Sequence, residues 1–418
     1  MRAATRSTRH SARAGPDATR GTASRVRVRV ARSSAGSVAR KMSRAMRSSA
    51  SHARGRVARA SAFRASTSMG PNARTVGRGR VATARAAAVS AAETLFDGVE
   101  LERDARGRER VALREGGWRR WTWRGYECNY IAAGETNDGP IVTLVHGFGA
   151  HSYHWRYTIP ALARAGYRVY ALCMLGYGWS PKVEEKYCME FWGQQVIDFS
   201  REVAGASTSD KTVIVGNSIG ALAALYAAST APESCKGLCL VNSAGNFEPD
   251  AAPGPERKTL AQRAVGDAKE IDEKTNESVV DKIREAFSRA VATGIFYSTK
   301  FRIKQILQQV YEFEVDDDLV RSIDLAAQDP GAIKTFYQLS LAGSRTKVKA
   351  GDLLADYDGA LMLLWGEKDP WMTPTKASRI REIKPNAVYA PVLGGHCPHD
   401  DAPAESNAAL LSWLSALP

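Results

Sequence analysis

The sequence predicts an α/β fold: a mainly parallel, doubly wound sheet with helices on both faces. Three observations predict it. Short runs that are apolar on successive residues recur along the chain, helical patterns separate them, and both are confined to the part beyond about residue 90. A strand that is apolar at every position is covered on both faces, as in a parallel sheet, whereas a one-sided strand alternates. Strands that alternate with helices build such a sheet through crossover connections.

The first 90 residues stand apart. They hold 21 Lys and Arg against one acid, Asp17, for a net charge of +20, while the remaining 328 residues carry −6. The overall charge of +14 therefore describes the arm and not the body. Phe63 is the arm's single aromatic residue, and all nine Trp and fourteen Tyr lie beyond Gly117. A segment so poor in large apolar groups cannot offset the conformational entropy of folding, so it is expected to be disordered. An Arg-rich, Ser-rich, acid-poor N-terminus has the composition of an organelle transit peptide, with Ala86-Ala87-Ala88 as a processing region; a basic nucleic-acid-binding tail is the alternative. The arm shows neither the apolar core of a secretory signal nor any apolar run as long as a membrane span.

Beyond the arm, Trp121, Trp123, then Tyr126, Cys128 and Tyr130 alternate with polar residues on either side of Gly125, which suits an antiparallel, hairpin-like entry into the sheet. The run 141–145 is apolar throughout but for Thr143 and ends at His146-Gly147. Further strands are expected at 167–174, 212–215, 237–241, 361–365 and 387–392. Helices are expected at 155–165, 191–203, 219–228, 375–383 and 407–417; in the last, Ala408, Leu411, Leu414 and Leu417 recur at helical spacing. Residues 246–349 break the alternation, with helical patterns at 279–292 and 301–311 and no convincing strand. An all-helical insertion there reads as a lid over the carboxyl ends of the strands, where open α/β sheets bind ligands. The expected organisation is thus an arm at 1–90, a core at 91–245, a lid at 246–349 and the rest of the core at 350–418. The lid aromatics Phe287, Phe296, Tyr297, Phe301 and Tyr311 either line an apolar pocket, with Phe296 and Phe301 as the substrate-binding pair, or make the lid's own small core. The six Cys are irregularly spaced with no CxxC pair, so buried thiols are expected instead of disulfides, and neither a metal site nor a cofactor is expected.

Three stretches carry chemistry. Val215-Gly216-Asn217-Ser218-Ile219-Gly220 follows a strand and opens an Ala-rich helix, which is the context of a G-x-S-x-G nucleophile elbow with Ser218 as nucleophile. His146-Gly147-Phe148-Gly149 ends an earlier strand; by position the N–H groups of Phe148 and Ile219 form the oxyanion hole. His146 itself reads as structural, because the base is expected after the acid in chain order. That base is His396, in Gly394-Gly395-His396 straight after the last strand, with His399 structural. The acid is Asp369, on the loop after 361–365, with Glu367 as rival and Asp358 too early. Its work is to fix the histidine tautomer.

From about Trp121 to Leu417 the sequence resembles plastid α/β-hydrolases of the group that includes pheophytinase and chlorophyll dephytylase. The resemblance rests on Trp123-Arg124-Gly125-Tyr126-Glu127-Cys128-Asn129-Tyr130, Val145-His146-Gly147-Phe148-Gly149-Ala150, Gly216-Asn217-Ser218-Ile219-Gly220, Val241-Asn242-Ser243-Ala244-Gly245-Asn246 and Gly395-His396-Cys397-Pro398-His399-Asp400. It implies an eight-stranded core with a helical lid, a triad carried over onto Ser218, Asp369 and His396, a chloroplast location, and esters of long apolar alcohols such as phytyl as substrates. Two positions depart from the group: Cys173 stands where Asp is common, and Ala221 where a second Gly is common. The expected partner is a small apolar ester, with a peripheral membrane contact left open and no nucleic acid. Ser218 at the elbow argues against epoxide hydrolases and haloalkane dehalogenases, which use a carboxylate there. Carbon–carbon bond hydrolysis and a non-catalytic receptor remain as rivals.

Overall fold

The computed structural model describes residues 94–247 and 279–418. The basic arm and residues 248–278 of the expected lid lie outside the described residues, as do the side chains of 279–284 and of Phe287.

Eight strands form one sheet: β3 (Arg119–Trp123), β4 (Tyr126–Ala133), β5 (Ile141–Val145), β6 (Arg168–Leu172), β7 (Thr212–Asn217), β8 (Cys235–Val241), β9 (Ala360–Gly366) and β10 (Val388–Val392). Their order is β10-β9-β8-β7-β5-β6-β4-β3, with β4 antiparallel to both of its neighbours and every other pair parallel. Every residue of β5 and β7 is buried, as expected of largely apolar runs. The hairpin β3–β4 turns on Arg124 and Gly125, both at positive φ (51° and 83°), the two-residue geometry whose twist matches its strands. A separate two-stranded ribbon, β1 (Leu101–Arg103) with β2 (Glu109–Val111), is too short for a periodicity to reveal.

Each sheet face carries its own core. On one side β-strand residues such as Ile214 and Leu240 pack with the helices Met189–Glu202, Ile219–Thr230, Ala350–Asp356 and Pro374–Ile383. On the other, Val142, Val215 and Leu364 pack with Thr158–Arg164 and Pro403–Ser415. Between β8 and β9 the described residues hold helices and no strand; Val279–Lys300 continues past the expected end at residue 292, and Ile303–Gln308 replaces the longer helix expected at 301–311. All six cysteines are free, five of them buried. No helix among the described residues is long and apolar enough to cross a membrane.

The sheet order positions a site. From β5 the chain moves to β6 on one side and returns through β7 on the other. Such a reversal opens a crevice at the carboxyl ends of the two central strands, where His146-Gly147 and Ser218 follow β5 and β7 directly.

Candidate active site

Ser218 occupies a strand-to-helix turn with φ 56° and ψ −118°, a conformation that costs a non-glycine residue ~1–3 kcal/mol and persists only where the surroundings impose it. The surroundings are tight. A Cβ on Gly216 would lie 2.4 Å from Gly220 O, and one on Gly220 would lie 2.2 Å from His146 O. A Cβ on Gly147 would lie 3.1 Å from that of Ser218, so the turn that carries Phe148 packs directly on the elbow. The helix that starts at Ile219 aims its N-terminal amides at the same point, where negative charge is favoured. Ala221 is fully buried under this turn, so the methyl group is accommodated.

His396 and Asp369 meet as the sequence predicts: the His396 Nδ1–H donates to Asp369 Oδ2 at 2.6 Å. Asp369 also accepts from Asn242 Nδ2 (2.9 Å) and from the Trp371 N–H (2.7 Å). Burial alone would raise this carboxyl's pKa, but the hydrogen bond and charge of His396, with the backbone donors, outweigh it and hold the group below its ordinary value. Ser218, Asp369 and His396 are all buried to within a few per cent, and Trp371 sets its ring 5.2 Å from the His396 ring. Glu367 and Asp358, the other acids near this loop, are exposed.

His146 is structural. Its Nε2 accepts from the Met174 N–H at 3.0 Å and its Nδ1 donates to Gly147 O at 2.8 Å; burial pushes it down to about 4, so it holds the Phe148 turn as a neutral ring. His399 stacks on Trp155 at 3.9 Å and burial lowers it to about 3. Cys173 is buried and 3.1 Å from Ser152 Oγ, which gives the thiol a local partner in place of the family's carboxylate.

Sequence reasoning missed the residues that hold this constellation together. Asn217 donates to His396 O at 3.0 Å, and Asn242, at φ 40°, bonds both Asp369 and the Gly366 N–H. Asp401 accepts from Gly395 N–H (2.7 Å), Glu312 N–H (2.8 Å) and Phe313 N–H (2.9 Å), while the His396 N–H donates to Val310 O at 2.7 Å. Arg156 bridges Asp400 (2.7 Å) and Asp316 (2.7 Å). Asn217 and Asn242 lie in the stretches that carry the resemblance and Asp401 beside one, but nothing in the spacing of these residues or of Arg156 marks them as partners.

Beside the Phe148 turn lies a cavity of about 140 Å³ lined by Phe148, Tyr177, Phe296, Ile303 and Phe336 among others. Phe296 is thus where the sequence reading put it. Phe301 is not: it is 85% exposed and absent from the lining, because the helix ends at Lys300 and the chain turns so that the ring faces solvent. Tyr297 is about half exposed, and Tyr311 is buried against Asp400 at 3.1 Å instead of in the cavity.

Residues 140–403 match the family described as the alpha/beta hydrolase fold. The chain is 28% identical over 330 residues to chloroplastic pheophytinase of Arabidopsis thaliana, covering 69% of this chain and 64% of that relative's length. It is 34% identical over 125 residues to bifunctional epoxide hydrolase 2 of Rattus norvegicus, covering 29% of this chain and 21% of the other. The fold is similar to that of a bacterial membrane phospholipase A, with a TM-score of 0.53 and 19% identity over 81% of this chain and 92% of that one.

Proposed function

The chain belongs to the α/β-hydrolase fold family, and from that membership we propose that it is a serine hydrolase that cleaves carboxylic esters of a long apolar alcohol such as phytyl. The observation that carries the reading is the 2.6 Å hydrogen bond from His396 to a buried Asp369, in a crevice where Ser218 stands on a positive-φ elbow. In this reading Ser218 Oγ attacks the ester carbonyl and gives its proton to His396 Nε2. Asp369 holds the tautomer that leaves Nε2 free and stabilises the imidazolium that forms. The Phe148 and Ile219 N–H groups receive the oxyanion. The tetrahedral intermediate then expels the alcohol, which takes the proton from His396, and leaves an acyl-enzyme. Water, deprotonated by His396, attacks that acyl group, and the acid departs as Ser218 recovers its proton.

The apolar cavity beside Phe148 supports a long apolar substrate, since each buried CH₂ contributes about 0.8 kcal/mol. The likeness to a chloroplastic pheophytinase and the composition of the basic arm support a plastid location. The test is labelling by a fluorophosphonate, followed by a panel of acetate, palmitate and phytyl esters and, for carbon–carbon hydrolysis, vinylogous diketones. Labelling abolished by Ser218→Ala with phytyl-ester turnover is the expected result. An unlabelled, inactive protein would make it a receptor, and turnover of the diketones alone would make it a carbon–carbon bond hydrolase.

A further inference from the structure

Among the residues that line the cavity are two cations, Lys182 and Lys300, in an otherwise almost wholly apolar wall. Their situations differ. Lys300 has Asp324 at 3.8 Å. Lys182 Nζ donates to two backbone carbonyls, Gly178 O at 2.5 Å and Ser180 O at 2.9 Å. Among the described residues it has no carboxylate partner, and its third N–H has no acceptor. A part-buried cation whose nearest attracting carboxylate, Asp329, stands beyond ion-pair distance keeps an unmet charge, and a structure that only needed an apolar tunnel could have placed a Met or Leu there.

We propose that Lys182 is a specificity-determining residue, which selects an ester whose apolar body carries a second, ionised carboxylate, seated in the cavity against this amine. Position supports it: Phe148, which supplies a proposed oxyanion N–H, also lines the cavity, so a substrate held at Ser218 extends toward Lys182. Charge supports it as well, since the cavity wall contains no acid. Burial lowers the amine to about 8, with Asp329 and the Cys173 thiol acting the other way, so it carries its charge at neutral pH. The aromatic walls at Tyr177, Phe296 and Phe336 then take the apolar body, and the carboxylate completes the third hydrogen bond of the ammonium.

The inference rests on the hydrolase reading, and a binding measurement separates the two. The full chain carrying Ser218→Ala is titrated by calorimetry with monomethyl dodecanedioate, which has one free carboxylate, and with the dimethyl ester, which has none. The monomethyl ester is expected to bind about tenfold more tightly, the lower end of what a hydrogen bond to a charged group contributes. Adding Lys182→Met should bring the two within about twofold of each other, and Lys182→Arg should retain most of the preference. Equal affinities for the two ligands, or a preference that survives Lys182→Met with an unchanged melting curve, overturn the proposal. Because Ser218→Ala cannot turn over, a preference found here stands even if the wild-type chain hydrolyses no ester, a result that would count against the hydrolase reading alone.

Discussion

Asp401→Ala should be far more damaging than its distance in sequence from the elbow suggests. Its carboxylate is the shared acceptor for three backbone donors: Gly395, one residue before His396, and Glu312 and Phe313 from the helical insertion. Each buried donor left unpaired costs ~1–3 kcal/mol. The bond to Gly395 is buried, whereas those to Glu312 and Phe313 are only partly so; water can replace much of the latter two, so ~2 kcal/mol for the first and ~1 for each of the others gives an upper value of about 4. Removing a carboxylate whose burial raises its pKa relieves part of that, which leaves ~2–4 kcal/mol. For a body of about 300 residues this lowers the melting temperature by roughly 3–6 °C. Turnover should fall more through kcat than through KM, because Gly395 positions His396 while the cavity beside Phe148 is untouched. Asp401→Asn keeps one oxygen for Gly395 and Glu312 and should lose about half as much. Thermal melts, urea titration and ester kinetics measure these effects. A loss below ~1 kcal/mol with unchanged kcat would show that the three donors find other acceptors and that this carboxylate does not hold the histidine loop.

Four further outcomes are expected. Ser218→Ala and His396→Ala should each lower ester turnover by ~10³-fold or more, with the double variant hardly worse, because they act as one unit; Asp369→Asn should cost less, and a harmless Asp369→Asn beside a crippling Glu367→Gln would reassign the acid. Because the folded-state pKa of Asp369 is lowered, its stabilisation is present above the unfolded value of about 3.9 and is lost as the pH falls through the folded value; urea titrations from pH 5 downward should therefore show a steeper acid loss for wild type than for Asp369→Asn, and parallel curves would contradict it. Phe296→Ala should reduce the advantage of palmitate over acetate esters several-fold, by analogy with ~0.8 kcal/mol per buried CH₂, while Phe301→Ala leaves kcat/KM unchanged; the reverse would place the substrate on the outer face of the insertion. N-terminal sequencing of the protein from its native cell should find a start between about residues 63 and 93, a window set by the arm's composition, and an intact Met1 would refute a transit peptide.

What the sequence determined by itself is what local pattern encodes. Short, nearly apolar runs that alternate with helical patterns fit strands covered on both faces, so β5, β7, β8 and β9 were legible as a parallel sheet. The spacing of Gly216, Ser218 and Gly220 between a strand and an Ala-rich helix fixes a turn too tight for side chains, so the elbow was legible as well. The pairing of Asp369 with His396 followed from chain order and loop position, and the structure brings the two to 2.6 Å. Tertiary structure alone decided the rest. The spacing of aromatics in the insertion could not separate Phe296, which points into the cavity, from Phe301, which is 85% exposed, because a helix's facing depends on where it ends and what it packs on. Nor could sequence pair Asn242 with Asp369, Asp401 with Glu312 and Phe313, or Arg156 with Asp316 and Asp400. Those contacts join residues 80 to 250 positions apart or lie across two loops, and a buried polar group finds its partner through the fold and not through its neighbours in the chain. Lys182 is the clearest case: in sequence it is one lysine among many, and only the packing of Phe296 and Phe336 of the insertion beside Phe148 and Tyr177 makes it line an apolar cavity whose wall holds no acid.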